Sequence, residues 1–167
     1  MESTLSFESL SLVGTTDTVA NTFIKIIEDL SDISSRPNFF HQIEREHLTQ
    51  YIYLLKEHDV YSEPVVIDLF RMYDDPMLVR SMHLKLKECI FYYVNTEEER
   101  DEEVLKQLEQ IDEWFEFNLV QYRDRKGQIE VIQSGQYIGM TRYTDTNYDH
   151  IVNLRNVLDI LSTQTVA

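Results

Sequence analysis

One cysteine, four glycines and three prolines are all that the 167 residues hold of these types. With Cys89 alone, no intramolecular disulfide forms and a cysteine-based zinc site lacks its companions. A reducing compartment is the natural home for such a chain. The glycines (Gly14, Gly127, Gly135 and Gly139) never fall in the G-x-x-x-x-G-K or G-x-G-x-x-G order that cradles a phosphate. No serine stands in a G-x-S-x-G elbow. Basic residues are scarce as well: 15 Lys and Arg face 30 Asp and Glu, for a net charge of −15. That field repels a phosphate backbone and an anionic lipid surface, which excludes direct nucleic-acid binding and membrane-surface attachment. Nor does any segment reach the roughly 20 apolar residues that span a bilayer. The opening MESTLSFESLSLVG has no basic start and no sustained apolar run, so no secretory signal is expected. The expectation is a soluble, cytoplasmic protein.

What is present is a hydrophobic fraction of 43%, enough to build a real core in one domain. Residues 1–16 are Ser/Thr-rich and read as a mobile or edge-strand segment, 17–162 as one compact domain, and 163–167 as a mobile tail. A first helix is expected from Asp17, with Val19, Phe23, Ile26, Ile27 and Leu30 at helical spacing. A second follows Pro37, with Phe40, Ile43, His47, Tyr51 and Leu54 inward. A third starts after Ser62 and a fourth at Asp75-Pro76. Each proline opens a helix, where its missing N–H has no intrahelical partner to lose. The fourth helix carries two apolar stripes, Val79, Met82, Leu86, Ile90 and Tyr93 on one side and Met77, Leu84 and Phe91 on another. Thr96 and Glu99 form a capping box for a fifth helix. From Phe115 the period changes to two, and three glycines fall between 127 and 139. This predicts a three-stranded antiparallel meander over 115–143, with turns at RDRKG and Ser134-Gly135. A last helix spans about Asn147 to Leu161, with Ile151, Leu154, Leu158 and Leu161 on its face. The fold class is α+β, predominantly α-helical: about six helices and a small antiparallel β-meander.

The acidic run is the most distinctive feature. Ten carboxylates against Arg100 and Lys106 lie between Glu97 and Glu116, so over half of the net charge sits in 20 positions. Glu97, Glu98 and Glu99 are accounted for by the free N–H groups and dipole at a helix N-terminus. Asp112, Glu113 and Glu116 lie turns beyond that reach, and Trp114 and Phe117 adjoin them. Aromatic anchors beside concentrated charge suit an interface that steers its partner in. Glu109, Asp112, Glu113, Trp114, Glu116 and Phe117 are therefore the candidate partner-binding residues; a solvated helix face is the plainer account of the same pattern.

Other chemistries find less support. Glu44 and His47 form an E-x-x-H pair, but the five histidines provide no second such pair for a di-metal bundle. His47 shares the stripe of Ile43 and Tyr51, as a satisfied core histidine does. The acidic run has neither the spacing nor the central glycine of a calcium loop. Cys89 flanks an apolar stripe, where burial raises a thiol's pKa and leaves it unreactive. No catalytic residue, metal ligand or cofactor site is assigned, and an enzyme is not expected. Arg123, Arg125 and Lys126 cluster in a proposed turn, which leaves pairing with the acidic helix of a second copy open as a route to a homo-oligomer.

The reading that emerges is a non-catalytic acidic module, of an inhibitor or immunity-protein type, engaging a basic protein partner through the fifth helix. Two alternatives stand beside it. One is a nucleic-acid mimic whose carboxylates occupy a DNA- or RNA-binding groove. The other is an adaptor scaffold, since YDDPMLVRSMHLKLKECI resembles one HEAT-type helical pair.

Overall fold

A computed structural model of the chain describes residues 18–25, 42–59, 65–95 and 102–163. Six α-helices lie among the described residues: α1 at 18–25, α2 Gln42–Glu57, α3 Val66–Asp74, α4 Pro76–Asn95, α5 Glu102–Asn118 and α6 Val152–Thr163. Two short strands, β1 Leu119–Gln121 and β2 Tyr143–Asp145, pair antiparallel, and a 3-10 turn at Tyr148–His150 leads into α6. The readings of residues 1–16, Pro37, Phe40, Pro64, Glu97 to Glu99 with the Thr96 capping box, and 164–167 lie outside the described residues. None of the described helices is long and apolar enough to cross a membrane.

Local chemistry accounts for the helix boundaries. The Asp75 carboxylate accepts from the N–H groups of Met77 (3.0 Å) and Leu78 (3.3 Å) and so caps α4, with Pro76 as its first residue. Asp68 reaches back to the Val65 N–H at 3.2 Å and steadies the start of α3. At the far end of α5, the Asn118 side-chain amide donates to the Trp114 carbonyl at 2.7 Å. The Asn118 backbone carbonyl in turn accepts from Thr146 N–H at 2.9 Å, tying the helix end to the segment after β2.

One hydrophobic cluster runs through α1 to α6 and β1, with Leu48, Leu54, Leu69, Val79, Leu86, Phe115 and Leu154 fully buried. Each such side chain removed from water contributes roughly 1.5–3 kcal/mol before the entropy of ordering it is counted. α2 packs on α3, α4 and α5, and α4 packs on α2, α3, α5 and β2. The inner face of α2 differs from the expected one. Ile43 is exposed and Glu44 is buried in its place, because Glu44 finds a buried N–H to accept from. On α4 the stripe Val79, Met82 and Leu86 is buried as expected, whereas the second stripe holds buried Met77, half-buried Leu84 and an exposed Phe91.

The β region has fewer strands than the expected meander. α5 continues to Asn118, so the alternation read from Phe115 is a helix end: Leu108, Ile111, Phe115 and Leu119 are all buried, and Phe117 points outward. The two named strands are the first and last of the region, in the register Leu119 to Asp145, Val120 to Thr144 and Gln121 to Tyr143. Between them the chain forms two small lobes closed by single bridges, Arg123 to Ile129 and Val131 to Thr141. Their turns are the expected ones. In the first, Asp124 accepts from the N–H groups of Lys126 and Gln128 and Gly127 takes φ 76°; in the second, Gly135 takes φ 90°. The middle segment fails to become a full strand because Ile129 and Val131 stay exposed, with no packed face to hold a register.

Candidate functional sites

Among the described residues, three places concentrate polar chemistry: a buried histidine network, a clasp between α4 and α5, and the outer face of α5.

The network starts from α2, where Glu44, His47 and Tyr51 recur at helical spacing on one buried face. β2 delivers Asp145 to that face, and the last turn of α3 delivers Tyr73. His47 Nε2 lies 2.5 Å from Asp145 Oδ2, and His47 Nδ1 lies 3.1 Å from the Tyr73 hydroxyl. Tyr51 donates to the same Asp145 oxygen at 2.7 Å, and the Asn147 N–H donates to Asp145 Oδ1 at 2.7 Å. Trp114 closes the group edge-on at 5.6 Å from the His47 ring. Glu44 accepts from the Leu154 N–H at 2.6 Å, satisfying one of the free donors in the first turn of α6. Burial pushes the Asp145 carboxyl up, but the hydrogen bonds and charge of His47, with Tyr51 and the Asn147 N–H, more than offset it and hold it below its ordinary 3.8. Burial, and then the neighbouring Asp145 charge, raise the phenols of Tyr51 and Tyr73 well above their ordinary 10.0.

An acid, a histidine and a hydroxyl in a row invite comparison with a nucleophile triad. The hydroxyl here belongs to Tyr73, whose raised pKa keeps it protonated and a poor nucleophile. A half-open cavity of about 130 Å³ adjoins the network, and none of the residues lining it is a serine, threonine or cysteine. The E-x-x-H pair is likewise committed to the fold, Glu44 to α6 and His47 to Asp145 and Tyr73.

The clasp joins two i, i+4 pairs of opposite character. His83 and Lys87 on α4 face Asp112 and Glu116 on α5. His83, fully buried, has Nε2 2.6 Å from Asp112 Oδ1 and 3.8 Å from Glu116 Oε1. Lys87 Nζ lies 3.0 Å from the same Asp112 oxygen and also contacts Glu116. Burial lowers the His83 pKa below its ordinary 6.5, and the attraction of Asp112 and Glu116 only partly opposes this. The donor atoms of His83, Asp112 and Glu116 lie within 4.8 Å of one another, as metal ligands do. The hydrogen bonding favours a clasp instead. The Arg80 guanidinium sits 3.5 Å from His83 Nδ1, which makes Nδ1 the acceptor and leaves Nε2 carrying the proton toward Asp112. The Lys87 ammonium meanwhile fills the place a cation would take.

These positions separate the six predicted interface residues into two groups. Asp112 and Glu116 are engaged in the clasp, and Trp114 packs half-buried against His47, Tyr51 and Phe115. Glu109, Glu113 and Phe117 stand one turn apart along the outer face of α5, and all three are exposed. Phe117 is 73% accessible. Asp112 and Trp114 are half-buried, facing α4 and α2, while Glu116 stays exposed with its carboxylate on Lys87. Cys89 is half-buried, donates to the His58 carbonyl at 3.5 Å, and is raised in pKa by burial as expected.

Asp145, Tyr73, His83 and Lys87 escaped the sequence reading. For the clasp a signal exists, since two i, i+4 pairs of opposite charge on successive helices predict their pairing. For Asp145 there is none, because it lies 98 residues from His47.

No family model, no curated protein and no solved structure matches this chain.

Proposed function

We propose that the protein is a non-catalytic binding module that engages a basic protein partner through the outer face of α5. The observation that carries this reading is Phe117, a large aromatic side chain 73% exposed at the end of the line Glu109 and Glu113. An exposed aromatic is worth covering, and neighbouring carboxylates raise the rate at which a cationic surface finds it. The inner side of the same helix is fixed by Ile111, Phe115 and the clasp, so the outer face is presented on a rigid support. Rigid presentation lowers the entropy lost on association. An inhibitory or immunity-type role fits this geometry, because occupying a basic groove requires no chemistry from the occupant.

The test is affinity capture from the source organism's extract with wild type, Glu109→Lys/Glu113→Lys and Phe117→Ser, followed by association kinetics on the protein retained. Charge reversal is expected to slow association about tenfold or more at low salt and to flatten its salt dependence. Phe117→Ser is expected to speed dissociation instead. A retained protein that binds all three forms alike would sink the proposal. Asp112 and Glu116 are unsuitable for this experiment, since reversing either places a cation against Lys87 and His83.

A further inference from the structure

The half-open cavity beside the histidine network is lined by two charges, Asp74 and Arg155, that meet no partner of opposite sign among the described residues. Its floor is formed by Tyr51 and Asp145, with relative exposures of 3% for Tyr51 and 10% for the Asp145 side chain. Its rim carries Asp74 and Tyr148, both exposed, and Tyr73 and Arg155, both half-buried, stand in its wall. The Arg155 guanidinium stacks over the Tyr148 ring at 3.7 Å and meets no carboxylate among the described residues. Asp74, on the same cavity, likewise meets no cation among them. A smaller recess beside it, lined also by Leu158 and Asp159, shares Tyr73, Asp74 and Arg155 with it.

The two ends of the cavity differ in sign. At the floor, Asp145 accepts from His47 and Tyr51 on one oxygen and from Asn147 on the other, which leaves one acceptor position open on Oδ1. Tyr51 and Tyr73 line the cavity beside it. A carboxylate framed by aromatic rings is a setting that attracts an ammonium group. Toward the rim, the Arg155 guanidinium lies over the Tyr148 ring, and its fork of donors, with no carboxylate in contact among the described residues, can receive a carboxylate in two parallel bonds. The volume, about 130 Å³, is close to the roughly 150 Å³ that admits a benzene ring, and so suits a ligand of about five to seven heavy atoms.

We propose that this cavity binds a small zwitterionic amino acid, its ammonium inward at Asp145 and the tyrosines and its carboxylate outward on Arg155. Glycine and alanine fit the space; a side chain as large as that of phenylalanine does not. The site uses no residue of the α5 outer face and stands independently of the binding role assigned there.

Titration calorimetry on the full chain tests this, with saturation-transfer NMR on the ligand protons as a second reading. Glycine and alanine are compared with methylammonium and acetate, which carry one charge each, and with phenylalanine. Glycine is expected to bind at least tenfold more tightly than either single-charge ion, and Arg155→Gln to lose tenfold or more of that affinity. Arg155 is half-exposed, so the free variant is expected to melt with wild type; if it does not, Tyr148→Ala removes the ring that seats the guanidinium and serves the same purpose. Methylammonium binding as tightly as glycine would make this a cation site and overturn the proposal. So would full glycine affinity in a folded Arg155→Gln variant, phenylalanine binding as well as glycine, or no heat and no saturation transfer with wild type up to about 50 mM.

Discussion

Asp145 ties α2 to the segment that follows β2. It is acceptor to His47, Tyr51 and the Asn147 N–H at once. Removing it strands a buried imidazole and a buried phenol together, and each unsatisfied group keeps its full desolvation cost. Asp145→Ala is therefore expected to lower the unfolding free energy by roughly 3–5 kcal/mol, seen as a drop in the urea midpoint with the slope unchanged. The pH dependence of the same residue has a definite sign. Its carboxyl is held below 3.8, so its stabilisation is fully present above that value and is lost as pH falls through the lower folded value. An Asp145→Asn variant is expected to show a shallower loss of stability than wild type below pH 4, because the group that must be protonated is gone. An equally steep loss would assign acid unfolding to other carboxylates.

At the scale of elements, the helices lend themselves to sequence reading and the contacts between them do not. Pro76 after Asp75 marks the start of α4, and Val79, Met82 and Leu86 mark its inner face, because both signals are local and periodic. Glu44 reads as a surface residue of α2 on any propensity argument, yet it is buried on an N–H of α6, a partner 110 positions away. Phe115, Phe117 and Leu119 show a further limit. Three apolar residues at alternate positions fit a strand until burial shows that only the first and last, four apart, share a face. The candidate interface was legible in part: Glu109 and Glu113 lie on the outer face that helical spacing gives them, whereas Phe117, read as part of a strand, ends the helix on that same face. The clasp that claims Asp112 and Glu116 depends on how α4 meets α5.

That clasp supplies its own prediction. Asp112→Ala removes the acceptor of a fully buried His83 N–H and is expected to cost about 1–3 kcal/mol. Lys87→Met removes a partner that is 36% exposed, and such pairs contribute only about 0–1 kcal/mol. The His83 pKa is depressed in the fold, so the unfolded chain takes up the proton first as the solution is acidified. Stability linked to His83 is complete above 6.5 and declines from there down to its folded value. A urea series from pH 7.5 to 5 is expected to show this decline in wild type and lose it in His83→Gln. The same slope in both forms would remove His83 as its source.

The whole molecule carries a net charge of −15, and most of what that charge does is repel itself. The clasp and the His47 network are close, partly buried pairs that salt screens weakly, whereas the exposed carboxylates act over distances near the roughly 10 Å screening length of 0.1 M salt. Repulsion is therefore the larger salt-sensitive effect. Raising NaCl from about 0.01 to 0.3 M is expected to stabilise the protein by about 1 kcal/mol, or roughly 2–4 °C in melting temperature for a chain of this length. A flat or falling melting temperature would mean that ion pairs outweigh repulsion. Glu109→Gln/Glu113→Gln tests where the repulsion resides. On the outer face of α5 these carboxylates have no cation to pair with among the described residues, so neutralising them is expected to raise the melting temperature at low salt and shrink the further gain from NaCl. The same substitutions remove the charge proposed to steer a basic partner, and so are expected to slow association while they stabilise the fold. A variant that gains stability and loses association rate together would mark this face as one kept acidic for binding at a cost to folding. A gain in stability with binding unchanged would leave Glu109 and Glu113 as a solvated helix surface and return the search for an interface to Phe117 alone.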